Sequence, residues 1–262
     1  MAHPILTLTT DFGSADHYAG AMKGVIFGVC PEARIVDITH EVTPYEIPEA
    51  AYTIAQTYPY FPARTVHVVV VDPGVGTARR PILVEAAGQF FVGPDNGVFT
   101  MVCSREAHKV RAISNEGLFR QPVSATFHGR DIFAPVAARL AAGMSPPHVG
   151  DIVQDYLRLN FEKAVRTGKR TWTGTILKID RFGNIVTNLH RSEFTNLERS
   201  NCSLAIGPRQ VGVFASNYQQ TGPGELFLIY GSGGYIEVSC SQASAAKAIG
   251  CAVGAPVELT IW

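Results

Sequence analysis

The sequence predicts an α/β domain with a mainly parallel sheet and helices on both faces, followed by a small all-β barrel. Three observations carry this. Apolar strand-like runs alternate with helical patterns through the first half. An unbroken β-branched run, Val66 and Val68 to Val71, reads as a strand buried on both faces. After about residue 170 the pattern changes to short strands separated by frequent turns.

Taken in order, Pro4 to Thr10 is a strand ending at Asp11. From Tyr18 to Cys30, Ala21, Met22, Val25, Ile26 and Val29 recur at helical spacing, and Pro31 stops the helix. Asp16 stands at that helix start, where capping is its plain role. Arg34 to Ile38 is a second strand, and Ile47 to Tyr58 is a helix with Ala50, Ala51, Ile54 and Ala55 inward. The Val66 to Val71 strand follows. Strand, helix, strand, helix, strand is the pattern of a parallel sheet covered on both sides. Ile82 to Glu85 and Gln89 to Val92 are further strands. Pro94-Asp95-Asn96-Gly97 is a turn, with a helix running through Thr100 to Cys103. Ile132 to Ala142 is amphipathic and ends before Pro146-Pro147. Rising charge between Leu157 and Lys169 suggests a linker, giving expected domains of 1–160 and 172–262 joined by 161–171. Strands are then expected at Thr173–Asp180, Cys202–Ile206, Gln210–Phe214, Leu226–Tyr230, Tyr235–Ser239 and Val257–Ile261, with one helix at Ala243–Ile249.

Bulk composition narrows the function. The 262 residues carry equal numbers of acidic and basic side chains, which speaks against nucleic acid or an anionic membrane as partner. No apolar run reaches the roughly 20 residues that span a bilayer, and the N-terminus lacks the pattern of a signal peptide. The five cysteines are scattered, with no metal-ligand spacing, and read as reduced structural thiols of a cytoplasmic protein. No metal or cofactor is implied.

Three aspartates stand where strands end: Asp11, Asp72 and Asp180. Open α/β sheets hold ligands at the carboxyl ends of their strands, so Asp72 before a Gly-rich loop is a candidate. Arg79, seven residues on, is within reach as its partner. Equally, Asp72 simply caps its own turn. Asp180-Arg181-Phe182-Gly183-Asn184 offers a ring for stacking and an amide for base edges, or is merely a hairpin corner. The glycines form neither a P-loop nor a dinucleotide fingerprint, and there is no Gly-x-Ser-x-Gly elbow.

Seven stretches occur in order: Thr10-Asp11-Phe12-Gly13 with Met22-Lys23-Gly24-Val25, Val71-Asp72-Pro73-Gly74-Val75-Gly76 with Arg79-Arg80, Pro94-Asp95-Asn96-Gly97, Phe127-His128-Gly129-Arg130-Asp131 and Asp180-Arg181-Phe182-Gly183-Asn184. This series resembles the S-adenosyl-L-methionine (SAM) hydrolase, or SAM hydroxide adenosyltransferase, family, which is related to the SAM-dependent fluorinase and chlorinase. The resemblance runs from about Ile5 to Leu259. It implies the two-domain fold read above and a homotrimer with ligand sites between subunits. It also implies attack of water at the ribose C5′ of SAM, giving adenosine and methionine. By the same resemblance Asp72, Arg79 and His128 are catalytic. Asp11 would hold the ribose hydroxyls, Tyr45 would lie against the adenosyl group, and Phe182 and Asn184 would approach the adenosine. Tyr218 would stack on the adenine, Asp180 would take the methionine amino group, and Ser232 its carboxylate.

Two departures from the family pattern fall in the second domain. Gly231-Ser232 replaces Asn-Ser, and Ile236 to Gln242 lacks the Asn-rich run. Two rival functions remain on the sequence. A halogenase of this group has an uncharged residue at position 72, a serine at 129 and an insertion after the Ile82 to Glu85 strand, and this chain has none of these. A carboxylate at position 72 would repel a halide by on the order of 1–4 kcal/mol at about 4 Å. A non-catalytic adenosine or SAM sensor would use the same aromatic and carboxylate contacts without needing an Asp, Arg and His set.

Overall fold

A computed structural model describes residues 3–161, 163–194 and 196–262. The chain forms two compact units, the first ending at Leu159 and the second running Asn160–Trp262. Among the described residues, no helix is long and apolar enough to cross a membrane.

The first unit contains β1 (Ile5–Thr10), α1 (Tyr18–Val29), β2 (Arg34–Thr39), α2 (Ile47–Thr57), β3 (Val66–Val70), β4 (Pro81–Ala86), β5 (Gln89–Pro94), α3 (Thr100–Arg105), β6 (His108–Ala112) and α4 (Ala134–Ala141). The sheet order is β2-β1-β3-β5-β4-β6. β1 pairs in parallel with β2 and β3, and β3 with β5. β4 returns antiparallel to β5, and β6 antiparallel to β4. The β3 run is buried at every position, as an unbroken apolar strand requires. One face packs Met22 and Ile26 of α1 with Val136, Ala137 and Leu140 of α4. The other packs Ala50 and Ile54 of α2 with Val102 and Cys103 of α3.

Asp16 does not cap α1. The N-cap is His17, with no side-chain cap bond. The strand β6 has no counterpart in the sequence reading, because His108-Lys109-Val110-Arg111-Ala112 puts polar side chains around a single buried valine.

The second unit contains β7 (Val165–Arg166), β8 (Thr171–Ile179), β9 (Ile185–His190), β10 (Cys202–Ile206), β11 (Arg209–Val211), β12 (Leu226–Tyr230), β13 (Tyr235–Cys240), α5 (Ala245–Ile249) and β14 (Pro256–Ile261). The order is β11-β10-β14-β8-β9-β13-β12, with β7 on β8. A bridge between Phe214, just past β11, and Leu228 of β12 brings the two ends of the sheet together, as a near-barrel needs. Within the expected linker, β7 pairs with β8 and the Phe161 carbonyl accepts from Asn188 Nδ2. Glu162 lies outside the described residues. All five cysteines are free thiols.

A polar network crosses the first core. Gln89 spends its Nε2 hydrogens on the carbonyls of Tyr58, Phe61 and Pro62, so its Oε1 must accept from His67 Nε2, 3.0 Å away. His67 Nδ1 then takes the Thr7 hydroxyl proton at 2.7 Å. Burial lowers the His67 pKa from its usual 6.5 to about 4. Because the folded value is the lower one, this contribution to stability is fully present above pH 6.5. It is lost as pH falls toward 4. The shift corresponds to about 3 kcal/mol. Urea unfolding at pH 7 and pH 4.5 should show a larger acid loss for the wild type than for His67→Gln. Equal losses would mean that His67 is not the titrating group.

Candidate active site

The sheet order reverses direction between β1 and β3, which makes their carboxyl ends a topological switch point. Asp11 follows β1 and Asp72 follows Val71 at the end of β3. Asn96 Nδ2 holds the Val71 carbonyl at 2.8 Å. The loop then tightens through Val75 N to Asp72 O and Thr77 N to Gly74 O.

This fold-back delivers Arg79 to Asp72 as a two-pronged ion pair. Nε donates to Oδ1 at 2.8 Å and Nη2 to Oδ2. Both side chains are nearly buried, Arg79 at 9% and Asp72 at 5% exposure. The guanidinium also lies 5.3 Å from the Phe133 ring centroid. Nη2 donates further to His128 Nδ1 at 2.9 Å. Arginine cannot accept, so Nδ1 must carry the lone pair and a neutral His128 bears its proton on Nε2. Burial, then the Arg79 charge, depresses the His128 pKa. The remaining Arg79 nitrogen, Nη1, is buried with no hydrogen-bond partner among the described residues.

Two backbone features place His128. Gly76 has φ +78°, and a Cβ there would sit 2.2 Å from the Ala125 carbonyl oxygen, so the Asp72 loop packs directly on the strand of chain leading to His128. Immediately after His128 the chain makes a π-helical turn, Gly129–Phe133, which feeds α4. Asp131 in that turn is fully buried and anchors it. It accepts from Arg130 at 2.7 and 2.8 Å, from Ser124 N at 2.9 Å and from Arg120 at 3.3 Å. Phe12, Tyr18 and Phe127 form an aromatic cluster beside it. The space at Gly129 is bounded by Met22 Sδ and the rings of Phe127 and Phe12.

Asp11 Oδ2 accepts the Tyr45 amide at 3.0 Å. Tyr45 is held at φ +71°, unusual for a residue with a side chain, and its ring is exposed. Burial raises the Asp11 pKa, and the Asp72 charge adds to the rise. The first unit thus brings Asp72, Arg79 and His128 into direct contact, with Asp11 and Tyr45 alongside.

In the second unit, a cavity of about 630 Å³ is lined by Asp180, Phe182, Asn184 and Tyr218, with Cys240, Gln242, Ala243 and Ser244. Asp180 organises its turn. Oδ1 accepts from the amides of Phe182 and Asn184, both at 2.9 Å, and Oδ2 from Asn184 Nδ2 at 2.8 Å. Gly183 is needed because a Cβ would lie 2.1 Å from Ser244 Oγ. The turn leaves the Phe182 ring 80% exposed. Ser232 is exposed in the turn between β12 and β13 and does not line this cavity. Gln242, Ser244 and the buried Glu237 were not singled out from the sequence. Each gains its place from a distant segment rather than from a local pattern.

Comparison with known proteins agrees across the chain. The profile of the SAM hydroxide adenosyltransferase N-terminal domain matches residues 6–150, and that of the C-terminal domain matches 174–258. An (R)-S-adenosyl-L-methionine hydrolase of Salinispora tropica is 38% identical, covering 98% of both chains. A hydrolase of the same name from Methanocaldococcus jannaschii is 40% identical over 73% of this chain and 69% of its own. A fluorinase of Actinoplanes sp. is more distant, at 29% identity over 76% of this chain and 74% of its own. A solved structure of an uncharacterized conserved protein from Thermotoga maritima superposes with a TM-score of 0.86 at 35% identity, covering 98% of this chain and 99% of that one. With both domain profiles matched and relatives this similar along nearly the whole length, the chain belongs to the SAM hydroxide adenosyltransferase family.

Proposed function

We propose that this protein hydrolyses S-adenosyl-L-methionine to adenosine and L-methionine by in-line attack of water at the ribose C5′. The observation that carries the reading is the Asp72, Arg79 and His128 contact set with one buried guanidinium nitrogen, Nη1, left unpartnered. A buried donor without an acceptor is suited to an oxygen that arrives with the ligand. The relatives named as hydrolases support the substrate.

Hydroxide and sulfonium carry opposite charges that cancel as they meet. A pocket that cannot solvate the separated charges therefore lowers the barrier. Holding the nucleophile in line adds a proximity contribution of up to roughly 7–11 kcal/mol in ideal cases. With its proton on Nε2, His128 serves as a donor that fixes the nucleophile oxygen. Asp72 supplies an acceptor for the water proton, and Arg79 pins Asp72 while stabilising oxyanion charge. Asp11 has one carboxylate oxygen engaged by Tyr45 and turns the other to the ribose hydroxyls. Tyr45 lies against the adenosyl group, Phe182, Asn184 and Tyr218 hold the adenosine, Asp180 takes the methionine amino group and Ser232 its carboxylate.

The working form in this reading is a cytoplasmic homotrimer with sites between subunits. Gly20, Gly24 and Gly28 support self-association. They form an open, exposed stripe on α1 beside the exposed Phe27, next to a free sheet edge at β2. The halogenase alternative is disfavoured by Asp72, whose charge repels halide, and by the side-chain-free Gly129 against a thioether and two rings. The sensor alternative leaves the contact set without a task.

Incubating the purified protein with SAM should yield adenosine and methionine in equal amounts. A chloride-dependent product, or none, would select one of the alternatives. Asp72→Asn and His128→Ala should each lower turnover by roughly 100- to 10,000-fold. SAM affinity should stay within several-fold by calorimetry, and normal turnover in both variants would remove the mechanism. By proton NMR, the His128 ring should titrate below pH 6.5 and shift upward in Arg79→Met, because the arginine charge is one cause of its depression. An unmoved titration would show that the guanidinium does not face that ring.

A further inference from the structure

The strand on the other side of β1 from β3 is β2, and His40 follows its end. The His40 side chain is nearly buried, at 10% exposure. Nδ1 lies 2.9 Å from the hydroxyl of Thr10, which is itself fully buried at the end of β1. Nε2 faces Asp37 of β2, 3.1 Å from Oδ1, in a bent contact off the line of a straight hydrogen bond. The other oxygen, Asp37 Oδ2, accepts from Lys23 Nζ of α1 at 2.5 Å. The proposed reaction gives neither His40 nor Lys23 a task. The pairing of β1 with β2 is also irregular here. Leu8 pairs with Asp37 and Thr9 with Thr39, so Ile38 is an extra residue. Such bulges re-aim the side chains beside them.

The proton positions along this row follow from its charged end. A lone pair on Nε2 would point at the Asp37 carboxylate, so a neutral His40 carries its proton there. Nδ1 then accepts from the Thr10 hydroxyl, and the Thr10 oxygen accepts from the Phe12 amide at 3.3 Å. Each member donates toward Asp37, and Lys23 holds Asp37 from beyond. The backbone follows the same seam. Gly13 N donates to the His40 carbonyl at 2.7 Å and Val42 N to the Thr10 carbonyl at 3.2 Å. The turn stitched in this way contains Asp11, and the loop stitched to it contains Tyr45, whose amide donates to Asp11 Oδ2. Tyr45 holds φ +71°, a backbone state that persists only where its surroundings over-determine it. Glu49 fixes that loop at Thr43 N, at 3.1 Å, and His40 fixes its near end.

We propose that His40, held by Asp37 and Lys23, is a positioning residue that locks the Thr10 to Gly13 turn to the Tyr45 loop and so aims the Asp11 carboxylate at a ribose diol. This rests on the reading of Asp11 as the ribose contact. His40 acts through Thr10 and the loop, not on the ligand. Its loss therefore falls on ligands that carry both ribose hydroxyls and spares those that lack one.

The test is calorimetry on the full-length protein with adenosine and 2′-deoxyadenosine as probes. Wild type should bind adenosine roughly tenfold more tightly, the scale of one charge-assisted hydrogen bond. Thr10→Val keeps the shape of a buried strand residue and removes only the middle member of the row. In Thr10→Val and in His40→Ala, adenosine should weaken roughly tenfold and 2′-deoxyadenosine by less than about twofold, so the preference collapses. For SAM turnover in both variants, KM should rise about tenfold with kcat within about threefold, the opposite of the pattern for Asp72 and His128 variants. Nitrogen-15 NMR of histidine-labelled wild type above about pH 8, where imidazoles are neutral, should find the His40 proton on Nε2. Thr10→Val decides the matter if His40→Ala fails to fold. A proton on Nδ1, equal weakening of both nucleosides, or a wild-type preference that survives in the variants overturns the proposal alone. No preference in the wild type removes the Asp11 reading and the proposal with it.

Discussion

The first unit is arranged around one buried ion pair. Asp72 and Arg79 sit almost out of solvent, and neither would be tolerable there alone, since an uncompensated buried charge costs several kcal/mol. Their mutual requirement dictates the loop between them, because only a tight fold-back returns Arg79 to the end of the strand that carries Asp72. The same guanidinium then reaches His128 and selects its tautomer. One planar cation thus fixes the position of a carboxylate, the proton position of an imidazole and the direction of a spare donor.

Around this pair the site is strongly acidic at the strand ends and apolar elsewhere. Asp11 and Asp72 follow adjacent strands, and Asp11 feels the Asp72 charge. Phe12, Tyr18, Phe127 and Phe133 supply the low-polarity surroundings. In the proposed reaction, carboxylates set among apolar rings would attract a cationic sulfonium and disfavour its solvation. In the second unit a further aspartate, Asp180, lines the cavity.

The main features of fold and site were legible where local chemistry and global position agree. Strands that run apolar and stop at an aspartate, as at Thr10-Asp11 and Val71-Asp72, announce both the strand and the candidate ligand end of the sheet. Val66 to Val71 declares its double burial by never alternating. Legibility fails where tertiary contacts decide. β6 is hidden because its polar residues are satisfied by Glu85, Tyr156 and the backbone around residue 150, far off in sequence. The π-helical turn after His128 looks like an ordinary helix start, because its anchor, Asp131, depends on Arg120 and Ser124 in a preceding loop. Glu237 looks like an outward-facing strand residue, and the turn at Gly231 closes over it.

Gly76 carries a consequence for how such a site changes over generations of sequence. The Ala125 carbonyl occupies the place where any side chain would begin, so the two loops that bear Arg79 and His128 touch backbone to backbone. Drift in the side chains of either loop leaves that seam intact, while a single methyl at the seam separates the guanidinium from the imidazole. The chemistry is therefore insulated from most exchanges nearby and exposed to one that adds only three hydrogens and a carbon.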